Sequence, residues 1–332
     1  MTPMTPENAP VIAPDPYQLT ADMPLHAVFY PLGFPLQIET NHMAVLAAAG
    51  QSWDLFPPRF QEPPIKLRLA VSPDGDGPLA QPVFRAQGHL FSIVGDAANF
   101  AVVDYTHAFA FGWFTSAVAA DPGWFRWYYL EALAYVLLAH LYVTPVHAAC
   151  VARKGNGILL CGHSGAGKSS LAYACARRGW TFLSDDSVAL VRARPGRAVI
   201  GKPYQFRFRD TAAALFPELG GLLASRHPNG KLTMEVPAAA FPNISIAPQC
   251  EAGPLVFLNR DGRRRASLSP FEPGLALARL AADMPLYHQP VAEAHRRSIE
   301  TLVEAPCFEL RYGDLDSAVS ELESLDATQG GF

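Results

Sequence analysis

Gly162-His163-Ser164-Gly165-Ala166-Gly167-Lys168-Ser169 reads G-x-x-x-x-G-K-[ST], the pattern of a phosphate-binding loop. Gly162, Gly165 and Gly167 let the backbone curl so that successive N–H groups face phosphate oxygens. Lys168 sets a charge against the β and γ phosphates, and the Ser169 hydroxyl suits Mg²⁺. A helix beginning here adds its positive end to the site. The flanks agree with this reading. Residues 157–161 are a short apolar run of buried-strand type. Residues 169–178 read as helix, with Arg177 and Arg178 in the last turn and Gly179 as its cap. Gly162, His163, Ser164, Gly165, Ala166, Gly167, Lys168, Ser169 and Ser170 therefore form the expected nucleotide-contact set.

The chain has 332 residues, 50% hydrophobic and 17% charged. That is enough for a large core in one domain or two. A net charge of −4 carries no basic excess for nucleic acid, and no polybasic stretch points to a membrane surface. Cys150, Cys161, Cys175, Cys250 and Cys307 are scattered, with no C-x-x-C spacing. This is reduced, cytoplasmic usage, without a disulfide frame or a zinc site. Residues 1–20 are rich in Pro and Thr, lack a signal-peptide pattern and read as a disordered tail. The apolar stretch 130–146 is interrupted by Glu131, His140 and Pro145. It reads as a buried helix ending near Tyr142, not a membrane span.

Outward from the loop, the organisation is β-rich at first. Strand-like runs fall at 27–30, 36–39, 65–71, 83–86, 90–94, 101–104 and 108–114, with a helix at 41–49 and a turn signal at 72–78. Asp121-Pro122-Gly123 reads as a linker before a helix at 124–142, whose aromatic cluster suits core or interdomain packing. The boundaries that follow are a tail at 1–20, a β-rich region at 21–122 that is a candidate for substrate recognition, and an α/β domain at 123–332. In that domain strands are expected at 147–152, 157–161, 181–184, 188–192, 202–209, 231–236, 254–259 and 307–312. Helices are expected at 169–178, 211–223, 272–283, 291–304 and 315–325, with Asp261-Gly262 as a hairpin signal. The sheet should be mixed.

A second constellation lies seventeen positions beyond Lys168, where an apolar strand ends in Asp185-Asp186. Phosphoryl transfer needs a carboxylate for Mg²⁺ and a base for the attacking hydroxyl. Two adjacent carboxylates pointing to opposite sides can divide those roles, and a strand's C-terminal end is where such sites form. A plain Asp-Asp turn is the bland alternative. Arg207 and Arg209 share a strand face and are candidates to clamp a phosphate, against a merely solvated face. Lys231 is a candidate near the acceptor, in a loop 228–230 expected to move, against an ordinary surface lysine. Arg263-Arg264-Arg265 reads as a solvated tip.

Together, residues 146–151, the loop with its strand, Leu171-Ala172, Arg178-Gly179 and Leu183-Ser184-Asp185-Asp186 resemble the C-terminal catalytic domain of the HPr kinase/phosphorylase family. That family is similar in fold to phosphoenolpyruvate carboxykinase. A closing Phe-x-Leu-x-Tyr strand, Phe308 to Tyr312, matches more weakly. The resemblance implies ATP and Mg²⁺ as cofactors, Lys168 as phosphate binder, Asp185 as general base, and Ser169 and Asp186 as Mg²⁺ holders. It makes His147 a site residue near acceptor or phosphate, where the residues alone also allow a core histidine. The glycine-rich acidic segment of the bifunctional enzyme is replaced here by Gly201-Lys202-Pro203-Tyr204-Gln205-Phe206-Arg207-Phe208-Arg209. The likeness is therefore to divergent HPr-kinase-like proteins, some resembling kinases of serine on peptide precursors. The expected function is transfer of phosphate to a hydroxyl, serine foremost, of a protein or peptide, in a cytoplasmic protein; the family's enzyme is an oligomer, and the sequence leaves a homo-oligomer open here. A nucleotide-binding sensor or scaffold, or a small-molecule kinase of the same fold, are the rival readings.

Overall fold

The computed structural model describes residues 22–73, 79–192, 196–226, 228, 230–262, 265–284 and 289–329. The 1–20 tail, most of the 72–78 turn, Arg263 and Arg264, and Asn229 in the loop expected to move lie outside the described residues.

Seven strands form the first sheet: β1 (Leu25–Phe29), β2 (Leu36–Thr40), β3 (Ile65–Ser72), β4 (Val83–Gln87), β5 (Leu90–Val94), β6 (Phe100–Asp104) and β7 (Phe109–Thr115). Their order is β1-β2-β3-β7-β6-β5-β4. All seven were expected, because each run is short, β-branched or aromatic, and closed by turn residues. Helix α1 (Met43–Trp53) crosses between the parallel neighbours β2 and β3. Its N-cap is His42, whose Nδ1 accepts from the Ala44 N–H at 3.2 Å.

The helical run after β7 differs from expectation. Following α2 (Ser116–Ala120), Asp121-Pro122-Gly123 is a helix start rather than a linker. Asp121 caps α3 (Pro122–Phe125) by accepting from the Trp124 N–H at 2.9 Å, and Pro122 occupies the first turn. The chain then widens into a π-turn (Arg126–Leu130) before α4 (Glu131–Leu141). The Arg126–Glu131 ion pair, 3.1 Å, spans that turn, and Ser52 of α1 donates to Glu131 at 2.8 Å. Phe125, Tyr128, Tyr129, Leu133 and Leu137 are buried in the same core as Phe34, Trp53 and Phe114 of the first sheet region. Each such large side chain is worth about 1.5–3 kcal/mol of burial.

The second sheet contains β8 (Val143–Val146), β9 (Ala148–Arg153), β10 (Asn156–Cys161), β11 (Thr181–Ser184), β12 (Val188–Val191), β13 (Ala198–Ile200), β17 (Gln249–Arg260), β18 (Ser267–Pro270) and β19 (Cys307–Tyr312). Its order is β11-β9-β10-β17-β13-β12-β8, with β19 on β17 and β18 beyond β19. Both parallel and antiparallel pairs occur, as expected. One face packs on α5 (Lys168–Arg177) and α8 (Leu315–Gln329). The other packs on α6 (Pro273–Ala282) and α7 (Gln289–Val303). A three-stranded flap, β14 (Gln205–Arg209), β16 (Leu232–Pro237) and β15 (Ser225–Arg226) in the order β14-β16-β15, covers α5. Phe206, Phe208 and Phe216 pack edge-on around Tyr173 there.

Three expectations are corrected. The helix expected at 211–223 is two 3₁₀ turns, Asp210–Ala214 and Pro217–Leu219; Pro217 and the Gly220-Gly221 pair break the helical run. Asp261-Gly262 does not make a hairpin, because β18 pairs with β19, which separates it from β17. The strand expected at 202–209 begins only at Gln205, after Pro203. All five cysteines are buried and free.

Candidate functional site

Strand direction brings the site together at one edge of the second sheet. β9 runs antiparallel to β10 with Ala148 opposite Cys161, so His147, just before β9, stands where β10 hands over to the glycine loop. β11 is antiparallel to β9 and hence runs with β10, ending at Ser184 immediately before Asp185. β17 lies parallel to β10 and ends at Arg260, and β19 lies parallel to β17 and ends at Tyr312. Four strand ends and one strand start thus meet at the C-terminal edge, the usual place for a ligand in such sheets.

The loop itself is tightly held. Gly165 and Gly167 have φ of +91° and +99°, a region that side chains disfavour. A Cβ on Gly167 would collide with the Tyr312 hydroxyl, which donates to the Ala166 carbonyl at 2.8 Å. Helix α5 opens at Lys168, directly after the loop.

Lys168 is buried, and its Nζ donates to the Gly162 carbonyl at 2.7 Å and the His163 carbonyl at 3.4 Å. It also lies 2.9 Å from His147 Nε2. Burial pushes the Lys168 ammonium below its ordinary value, while Asp186 pulls the other way. An ammonium only donates, so Nε2 accepts and the ring proton sits on Nδ1. That nitrogen faces Asp186 Oδ1 at 3.6 Å.

The two carboxylates differ sharply. Asp185 is buried; its Oδ2 accepts the Arg207 N–H at 2.7 Å, and its carbonyl accepts the Ser169 hydroxyl at 3.2 Å. Burial lifts the Asp185 carboxyl to about 6, against the lowering effect of the Arg207 N–H and charge. The Asp186 side chain is 60% exposed. The pair follows β11 in a bend, not on the strand, and β9 intervenes between β11 and the loop strand.

A cleft of about 320 Å³ gathers Ser164, Gly165, Gly167, Lys168, Ser169, Ser170, Asp185, Asp186, Arg207, Arg209 and Lys231 of the expected residues. His147, Gly162, His163 and Ala166 line an adjoining cavity of about 550 Å³. Arg207 and Arg209 both reach the cleft, as their shared face required. Arg207 pairs with Glu235 at 3.0 Å, and Arg209 donates to the Ser164 hydroxyl at 3.3 Å. Three contributors were missed. Arg260 lines both cavities from the end of β17. Trp127 enters the cleft from the π-turn, and Tyr312 clamps the loop. The aromatic cluster and the closing Phe-x-Leu-x-Tyr strand were visible in sequence, but nothing there said that Trp127 or Tyr312 would face the loop.

Residues 140–208 match the family described as HPr Serine kinase C-terminal domain. The chain is HPr-kinase-like. A search of the curated proteins found no match. Among solved structures the chain is similar to the Hpr(Ser) kinase/phosphatase from Coxiella burnetii, at 13% identity. That alignment covers 56% of this chain and 99% of that one, with a TM-score of 0.31. The HPr-kinase-like segment holds His147, the glycine loop, Asp185, Asp186 and Arg207, whereas Arg209, Lys231, Arg260 and Tyr312 lie beyond it. Among the described residues no helix is long and apolar enough to cross a membrane.

Proposed function

We propose that the chain is an ATP- and Mg²⁺-dependent kinase that phosphorylates a hydroxyl, serine foremost, on a protein or peptide. The observation that carries this reading is the line Lys168–His147–Asp186 beside the glycine loop, at 2.9 and 3.6 Å, within the HPr-kinase-like segment. Loop N–H groups and Lys168 hold the triphosphate. The acceptor oxygen bonds to the γ-phosphorus as the bond to the ADP oxygen breaks, and the hydroxyl proton passes to a carboxylate.

Geometry favours exchanging the two carboxylate roles read from sequence. Asp186 is exposed, oriented by His147, and able to meet an incoming hydroxyl, which suits the base. Asp185 is buried, gives its main-chain carbonyl to the Ser169 hydroxyl, and has its carboxylate tied to the Arg207 N–H in the cleft that Ser169 also lines, which suits holding a cation beside the loop hydroxyl. Among the described residues no group of three or more His, Cys, Asp or Glu forms a metal cage. Mg²⁺ in such sites needs only one or two protein oxygens besides phosphate and water, so Ser169 with Asp185 fits it. When bound, the ion would neutralise phosphate charge.

The decisive experiment measures ATP binding by calorimetry, and ADP and phosphopeptide formation by mass, on the full chain. Binding and transfer are expected in the parent, and binding without transfer in Asp186→Asn. A chain that binds no ATP in the presence of Mg²⁺ refutes the proposal.

A further inference from the structure

We propose that the acceptor is an extended, acidic peptide that adds as a strand to the open edge of β4 and is led past the π-turn aromatics into the cleft. This rests on the kinase reading and specifies its substrate.

β4 ends the first sheet, and among the described residues it pairs with β5 alone. All five of its residues are exposed. Among the described residues its outer side therefore offers unpaired N–H and C=O groups. Proteins usually blunt such edges with proline, bulges or charge. β4 has no proline, its register with β5 runs unbroken from Val83–Val94 to Gln87–Leu90, and Arg85 is its lone charge. An open edge of this kind recognises extended backbone by strand addition.

Aromatic contacts link the edge to the site. The Phe84 ring, 44% exposed, lies 6.4 Å from Tyr128. Tyr128 packs against Trp124 in a tilted pair at 4.5 Å and donates its hydroxyl to the Pro228 carbonyl at 3.0 Å. The preceding residue, Trp127, lines the cleft together with Asp185 and Lys231. The π-turn makes this arrangement, and such turns recur at functional sites.

Charge sets the peptide's character. Apart from Lys168, given to the triphosphate, and Arg207, paired with Glu235, Arg209 and Arg260 line the cleft, and Arg85 stands on the edge. This excess of cations favours acidic residues beside the acceptor serine.

The test uses the full chain with a non-hydrolysable ATP analogue and two fluorescent pools of randomised 12-residue serine peptides, one biased to Asp/Glu and one to Lys/Arg. Anisotropy is expected to give at least tenfold tighter binding of the acidic pool. That binding should weaken at least tenfold in Phe84→Ala/Arg85→Glu, and also when alternate peptide amides are N-methylated. Folding of the variant is checked by its thermal melt. Binding of neither pool, equal binding of the two pools, or binding indifferent to both the variant and N-methylation overturns the proposal. So does sedimentation in which a second copy of the chain occupies β4. Transfer from ATP, followed separately by mass, judges the kinase reading on its own: peptide bound through β4 but never phosphorylated counts against that reading alone.

Discussion

His147 Nε2 stands 2.9 Å from Lys168 Nζ. The histidine thus touches the phosphate-binding lysine with one nitrogen and faces the proposed base with the other. His147→Ala should lower transfer about 10²-fold, the scale of a lost acid–base partner, while ATP affinity stays within a few-fold. Calorimetry beside a turnover assay separates the two effects. A variant that transfers at the parent rate removes His147 from the site.

Lys168→Ala should act on binding first. The ammonium is buried, and its contacts are loop carbonyls that a triphosphate would replace. ATP affinity is expected to fall at least tenfold, consistent with loss of a charge-assisted contact. Unchanged calorimetric affinity would contradict a phosphate role.

The carboxylates should separate on substitution. Asp186→Asn is expected to abolish transfer with ATP still bound. Asp185→Asn should instead raise the Mg²⁺ concentration needed for half-maximal ATP binding. If Asp185→Asn binds Mg²⁺-ATP like the parent and fails only in transfer, the roles read from the sequence return.

Stability supplies an independent check on Asp185. Its carboxyl is raised from 3.8 to about 6 by burial, so the folded state holds that proton more tightly than the unfolded chain does. The resulting stability is fully present below about pH 4 and is lost as pH rises through about 6. Without divalent cations, Asp185→Asn should therefore be more stable than the parent at pH 7, by up to about 3 kcal/mol. That advantage should vanish toward pH 4. Urea melts across this range measure it, and a variant less stable at pH 7 refutes the account.

Much of this fold could be read along the chain, and the reasons differ by element. The first-sheet strands are local patterns with turn residues between them, and the loop with α5 is a contiguous motif. What escaped depends on neighbours. β8 contains Pro145, which reads as a stop, yet β8 is an edge strand where a missing N–H is tolerated. β13 has three residues, too few to show alternation. In the site, Lys168, Asp185 and Asp186 sit close together in sequence. Arg260 and Tyr312 reach the loop only because β17 and β19 run parallel to β10, a pairing that no local pattern records.

Tyr312→Phe tests one of those distant contacts. It leaves the Ala166 carbonyl without its donor in a buried setting, at a cost of about 1–2 kcal/mol. ATP affinity should fall several-fold as the loop loosens. A melt and calorimetry both unchanged would show that the clamp is idle.

The antiparallel course of β9 has a consequence for how this chemistry can travel between proteins. In a wholly parallel sheet every strand begins at the far edge, so a residue preceding a six-residue strand would lie about 20 Å from the loop. Reversing one strand lets its first residue, His147, join the ends of its neighbours. The histidine is therefore owed to chain direction. Transplanting the glycine loop and the Asp pair into a parallel host would carry the nucleotide grip across and leave the histidine behind.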